Sequence, residues 1–191
     1  MTWFRFVKLA VLLFVLGAPG VSIAQTGGPQ QIPMAKPGPE HEILKMDLGT
    51  WEAAVEVMPD PGAPPMKSKG VEVNTIGCGG LCLITDFKGE MMPGVPFHGH
   101  GVTAWDAAKK KYAGSWTDSM SLGLMVSEGT YDPATKKMTA SMEGPDMSGK
   151  VVRMRTVVEW TGTDRRVMTG YIPSSQGNEV TAMRITYTRR Q

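Results

Sequence analysis

The sequence predicts an all-β domain: a single antiparallel up-and-down β-barrel of about ten strands, with a short N-terminal helix. Three observations carry this. From Gly49 onward no long stretch holds a helical period, while apolar and polar residues alternate and turn residues recur at strand-and-hairpin spacing. The gaps between successive strands are of hairpin length, which favours a meander. A sheet of so many strands curls, and closure removes its two open edges. The first and last strands are then the closing pair. Strands are expected at 50–58, 68–77, 82–90, 97–105, 112–118, 124–131, 138–143, 150–160, 166–172 and 179–189.

Before the barrel, Arg5 and Lys8 lead into an apolar run from Leu9 to Leu16, followed by Gly17, Pro19 and Gly20 and by the small residues Ser22 and Ala24 around Ile23. This order is that of a secretory signal, so residues 1–24 read as a signal peptide and the chain as exported, periplasmic or secreted. The run is shorter than the roughly 20 residues of a membrane span. No cysteine follows it to carry a lipid, so no stable membrane anchor is expected after cleavage. Residues 25–38, rich in Gly, Pro and Gln, read as a flexible leader, and residues 39–191 as the barrel domain. Pro39-Glu40-His41-Glu42 opens the helix, with proline in its first turn and acids where the helix dipole favours them. Ile43, Leu44 and Leu48 give it one apolar face, and Gly49 ends it. So short a helix is unstable alone and must pack on the sheet.

One repeat supports the meander. Trp105-Asp106-Ala107-Ala108-Lys109-Lys110-Lys111-Tyr112 matches Tyr131-Asp132-Pro133-Ala134-Thr135-Lys136-Lys137-Met138 in length, in its aromatic-Asp start and in its paired lysines. Asp bonds the backbone of its own turn, and proline suits a first turn position, so these are two equivalent hairpins.

Gly49-Thr50-Trp51-Glu52 resembles the Gly-x-Trp opening of lipocalin-like and fatty-acid-binding-protein-like barrels. A wider set comprises Pro37-Gly38-Pro39-Glu40-His41, Asp60-Pro61-Gly62-Ala63-Pro64-Pro65-Met66, Asp86-Phe87-Lys88-Gly89, Phe97-His98-Gly99-His100-Gly101, Trp116-Thr117-Asp118-Ser119-Met120 and Ile185-Thr186-Tyr187-Thr188. Together these resemble the bacterial domain of unknown function 1579 family, a calycin-like group, over residues 37–189. The resemblance implies the barrel fold. It brings no catalytic residues to transfer, and Trp105 stands where that family's pattern has Tyr.

Pairing Trp105 with Tyr112 sets Gly101 opposite Trp116, Gly99 opposite Asp118, His100 opposite Thr117 and His98 opposite Ser119. One face then carries Gly99, Gly101, Trp105, Tyr112, Trp116 and Asp118, and the other His98, His100, Val102, Ser115, Thr117 and Ser119. The face that points inward decides the site. Trp116, Asp118, Trp105 and Tyr112, with Trp51 of the first strand, are the ligand-binding candidates. Trp116 can cover the bare backbone of Gly99 and Gly101, the reading we prefer, or leave it open to a ligand. Asp118 is either a polar anchor or, the preferred reading, a residue organising the turn after it. On the opposite face, His98 and His100 could converge on a metal or serve a haem iron as axial ligand, as in a haem-binding barrel of the nitrobindin kind. A zinc site needs further ligands, and only His41 remains.

Cys78-Gly79-Gly80-Leu81-Cys82 spans a hairpin tip and reads as a small structural disulfide in an oxidising compartment, closing too short a loop to add much stability. Fourteen methionines follow the signal segment without a repeated array, which suits flexible lining of a barrel or loop positions better than a copper(I) site. No nucleophile elbow, phosphate loop or His-Glu-x-x-His motif is present, so no catalytic residue is named. The strand carboxylates Glu72, Glu128 and Glu143 are the ones a barrel could bring together. Loss of residues 1–24 removes Arg5 and Lys8 and leaves 18 basic residues against 18 acidic ones, without the basic stripe of a nucleic-acid binder. A small apolar or amphipathic molecule is the expected partner. A haem or transition-metal barrel and an interaction protein with a filled barrel are the alternatives.

Overall fold

A computed structural model describes residues 34–59 and 63–191. The expected signal peptide and the leader up to residue 33 lie outside the described residues, and 34–38 have no regular structure. Helix α1 spans Glu40–Lys45. Ten strands follow: β1 Gly49–Val57, β2 Met66–Gly77, β3 Cys82–Met92, β4 Val95–Asp106, β5 Lys111–Asp118, β6 Met125–Asp132, β7 Lys137–Pro145, β8 Val151–Trp160, β9 Arg165–Pro173 and β10 Glu179–Arg189. Each strand pairs antiparallel with its neighbours in sequence, and β1 pairs with β10 to close the barrel.

Alternation decides what faces inward. On β1, Trp51, Ala53 and Val55 are buried and Glu52 and Ala54 are exposed. The register carries that parity around the sheet: Trp51 opposes Glu72, Glu72 opposes Phe87, Phe87 opposes Gly99 and Gly99 opposes Asp118. The two matched hairpins are equivalent in structure. Trp105 opposes Tyr112 and Tyr131 opposes Met138. Asp106 Oδ1 accepts from the Ala108 N–H at 3.0 Å and Asp132 Oδ1 from the Ala134 N–H at 2.9 Å. Lys110 and Lys136 both take φ 53°.

Helix α1 covers one end of the barrel. Leu44 packs with Leu83 and Tyr112, and Ile43 and Leu48 join the same cluster. The Tyr112 hydroxyl donates to the Glu40 carbonyl at 2.9 Å, and His41 Nδ1 accepts from the Gly38 N–H at 2.9 Å. The chain enters β1 through Gly49 at φ +103°, where a side chain would also meet the Arg189 guanidinium. That guanidinium lies 4.1 Å from the Trp51 ring and donates to the carbonyls of Leu48, Met46 and Thr163. The last strand thereby ties down the segment between helix and barrel. The turn between β2 and β3 carries a Cys78–Cys82 disulfide, with Cα atoms 5.5 Å apart.

Candidate functional site

The barrel interior divides into a filled end and a hollow one. Beneath α1, Arg166 reaches in from β9 and is 4 % exposed. Its guanidinium carbon lies 3.9 Å from the Tyr187 ring and 4.7 Å from the Trp51 ring. It donates through Nη2 to Glu72, while its Nε lies 3.1 Å from Asp47 Oδ1 without hydrogen-bond geometry, so that contact is coulombic. Asn74 Nδ2 donates to Glu72 Oε1 at 2.7 Å and the Thr85 hydroxyl to Asn74 Oδ1 at 2.6 Å. Trp160 Nε1 donates to Asp47 Oδ1 at 2.9 Å, and Trp51 Nε1 to the Asp47 carbonyl at 2.8 Å. Burial works against the Arg166 charge, but the carboxylates of Asp47 and Glu72 outweigh it and raise the pKa above the ordinary arginine value. Burial also holds the Tyr187 phenol well above its ordinary range, with the Glu72 carboxylate adding to the shift. This end is a packed ionic and aromatic plug.

At the opposite end lies a cavity of about 470 Å³, reaching from Glu72 and Tyr187 to the turns 119–124 and 146–150. Eight methionines line it: Met91, Met120, Met125, Met142, Met147, Met154, Met168 and Met183. Phe87, Phe97 and Trp116 add aromatic rings to its wall, and Val57, Val152 and Ile185 add aliphatic side chains. The ionisable side chains on its lining are Glu72, Asp118, Asp146 and Tyr187, with no lysine, arginine or histidine. Leu122, Leu124, Met147 and Val151 stand exposed in or beside the rim turns.

The face bearing Gly99, Gly101, Trp105, Tyr112, Trp116 and Asp118 is the inward one, in the register derived from the hairpin. Trp116 lies over the two glycines: a Cβ at Gly99 would stand 2.1 Å from Trp116 Cζ2, and one at Gly101 2.8 Å from Cε3. Asp118 holds that indole, accepting from Trp116 Nε1 at 2.9 Å, and organises the following turn by accepting from the Met120 N–H at 2.8 Å and the Ser121 hydroxyl at 3.1 Å. It therefore both lines the cavity and shapes its rim. The Trp105 and Tyr112 rings meet at 5.0 Å, tilted by 60°, near α1. Trp51 is fully buried in the plug and does not line the large cavity.

His98 and His100 alternate with the inward Phe97, Gly99 and Gly101 and project outside the barrel. His100 Nδ1 lies 2.8 Å from Asp86 Oδ1 on the outer surface. Neither imidazole lines the cavity, and no group of three metal-ligating side chains occurs among the described residues. Of the three strand carboxylates, Glu72 is internal. Glu128 pairs with Lys109 and Lys111, and Glu143 with Arg153, on the outside. Sequence reasoning missed Asp47 and Arg166; it anticipated methionine lining of a barrel but not which methionines meet. Their inward parity was readable once one register was fixed. Their height along the barrel was not.

A family model described as "Protein of unknown function (DUF1579)" matches residues 36–189. Among solved structures, the crystal structure of Rv2717c from M. tuberculosis is similar at TM-score 0.59 and 11% identity, covering 81% of this chain and 99% of that one. A redesigned β-barrel aligns at TM-score 0.42 and 12% identity, over 78% of this chain and 96% of its own. The likeness to Rv2717c is one of fold. No curated protein matches the chain.

Proposed function

Because the chain belongs to the DUF1579 family of proteins of unknown function, which assigns no activity, function has to be read from the barrel, and we propose that it is an exported protein binding a small apolar or amphipathic molecule. The cavity of about 470 Å³ carries this reading. Its size is that of small-molecule sites, and its lining of thioethers and aromatic rings with few polar groups is of their type. Methionine adds adaptability, because an unbranched thioether chain refits to irregular apolar shapes. The basic and apolar character of residues 5–16 and the Cys78–Cys82 disulfide support export to an oxidising compartment.

The test is native mass spectrometry of freshly purified protein, with thermal melting across a panel of lipids and haem. A bound small mass, or a melting rise that grows with ligand concentration, is expected. At a hundredfold excess over Kd the gain is about 2.7 kcal/mol. No adduct and no shift with any compound would remove the reading. Deleting residues 1–24 should abolish export in cell fractionation.

A further inference from the structure

A second, smaller cavity of about 190 Å³ lies inside the barrel, and its lining shares Trp116, Met142 and Thr156 with the large one. We propose that the two chambers form one site for an apolar molecule with an uncharged hydrogen-bonding head, a hydroxyl or carbonyl, whose body fills the methionine-lined chamber and whose head sits between Thr103 and Ser127. This rests on the cavity being a binding site and adds the chemistry of its ligand.

The inner chamber differs in character from the outer. Its walls include hydroxyls from Thr85, Thr103, Tyr112, Ser127 and Thr156. Three of these are engaged: Thr85 donates to Asn74, Tyr112 to the Glu40 carbonyl, and Thr156 to the Ala140 carbonyl at 3.5 Å. Among the described residues, no side-chain hydrogen bond engages Thr103 or Ser127, and neither hydroxyl is sealed from the chamber. Both converge on the bare backbone of Gly114: a Cβ placed there would lie 2.9 Å from Ser127 Oγ and 3.1 Å from Thr103 Oγ1. Two hydroxyls can donate to a carbonyl, or donate and accept with an alcohol.

Charge sets the rest of the selectivity. Neither chamber has a lysine, arginine or histidine on its lining. Arg166, the internal cation, is committed to Glu72 and Asp47. A carboxylate or phosphate head would lose its hydration in the inner chamber without gaining a counter-ion, and the outer chamber adjoining it carries the Glu72, Asp118 and Asp146 carboxylates.

The test uses the full chain and the neutral fluorophore N-phenylnaphthylamine, displaced by decanol or by decanoate at about pH 8, where an ordinary carboxylic acid is ionised. Decanol should displace the probe at a concentration at least about tenfold lower than decanoate. Thr103→Val and Ser127→Ala should each weaken decanol roughly threefold to tenfold, the worth of one hydrogen bond, while Thr103→Ser retains it. Far-ultraviolet circular dichroism and thermal melting of each variant, matching the unaltered protein, show that the fold persists. If the fluorophore does not bind the unaltered protein, the binding reading itself falls. If it binds but decanoate displaces it as well as decanol does, or both hydroxyl variants keep full decanol affinity, only the present inference is overturned.

Discussion

The plug beneath α1 and the chamber at the opposite end are built from the same strands, yet they solve opposite problems. β9 supplies Arg166 to the plug and Met168 to the chamber wall; β10 supplies Tyr187 and then Met183; β1 supplies Trp51 and then Val57. At the plug, large rigid rings and a hydrogen-bonded ionic network leave little volume, which fixes the closing β1–β10 pair and docks the helix. At the chamber, flexible thioethers line empty space and forgo contacts that a packed core would make. Strand parity therefore settles inside from outside. Side-chain size and pairing along the barrel axis settle filled from hollow.

The comparison breaks first if the plug is not the stabilising end. Arg166→Met would leave the buried Glu72 and the half-buried Asp47 without their cation, and it is expected to cost about 3–5 kcal/mol in urea denaturation. Met154→Ala, on the chamber wall, should cost about 2 kcal/mol or less, the low end for such truncations, because its side chain already borders a void. A reversed order of these two values would refute the division.

The boundary between the regions is Trp116, held by Asp118 over Gly99 and Gly101. Gly99→Ala should cost about 1–3 kcal/mol, because its methyl group overlaps a rigid ring. In a double-mutant cycle with Trp116→Leu much of that cost should vanish, the smaller side chain freeing the space. Additive losses would mean that the glycine is needed for something other than the indole.

How far the sequence foretold this architecture follows from the same geometry. All ten strands fall within two residues of their expected ranges, because alternation and turn chemistry are local signals. The Trp105–Tyr112 pairing was legible for the same reason: the repeated Asp turn sets the hairpin register. That register placed Trp116 and Asp118 on one face with the glycines. It also put His98 and His100 together on the other, and the inward direction awaited the closed barrel. Arg166 was illegible because Arg165 and Arg166 are adjacent and identical, so composition cannot say which one turns inward; the opposition of Arg166 to Tyr187 and Trp160 decides it. Methionine lining was anticipated, but its membership was illegible because the side chains are spread from Met91 to Met183 and meet only by sheet closure.

Alkaline titration separates the two ends without mutation. Burial raises the Tyr187 phenol well above 10, and burial with the nearby Glu40 carboxylate raises Tyr112 to about 12. Tyr187 packs against Arg166 in the plug, and Tyr112 is tied to α1 through the Glu40 carbonyl. Above pH 10 the unfolded chain releases phenolic protons that the folded barrel retains, so the unfolded state binds fewer protons and stability falls as pH rises. This contribution is fully present below the unfolded pKa and is lost as pH climbs through the folded values. Spectrophotometric titration of phenolate absorbance should show Tyr112 and Tyr187 ionising late, and Tyr187→Phe should reduce the alkaline loss of stability. Ordinary titration of Tyr187 would contradict the sealed plug.

The smallest stability effect tests what the chamber is for. Met142→Leu, Met154→Leu and Met168→Leu exchange side chains of similar volume, and each should change stability by less than about 1.5 kcal/mol. Binding should respond differently. Leucine has fewer rotatable bonds and a fixed branch, so it cannot follow ligands of different outline as a thioether chain does. Measured against apolar probes of linear, branched and fused-ring shape, the triple variant should keep affinity for one shape and lose it for the others. Equal affinities for every shape in both proteins would mean that the methionines merely fill space. A narrowed range with an unchanged melt would mean that the hollow end trades packing for adaptability, which the plug, with its fixed charges and rings, cannot do.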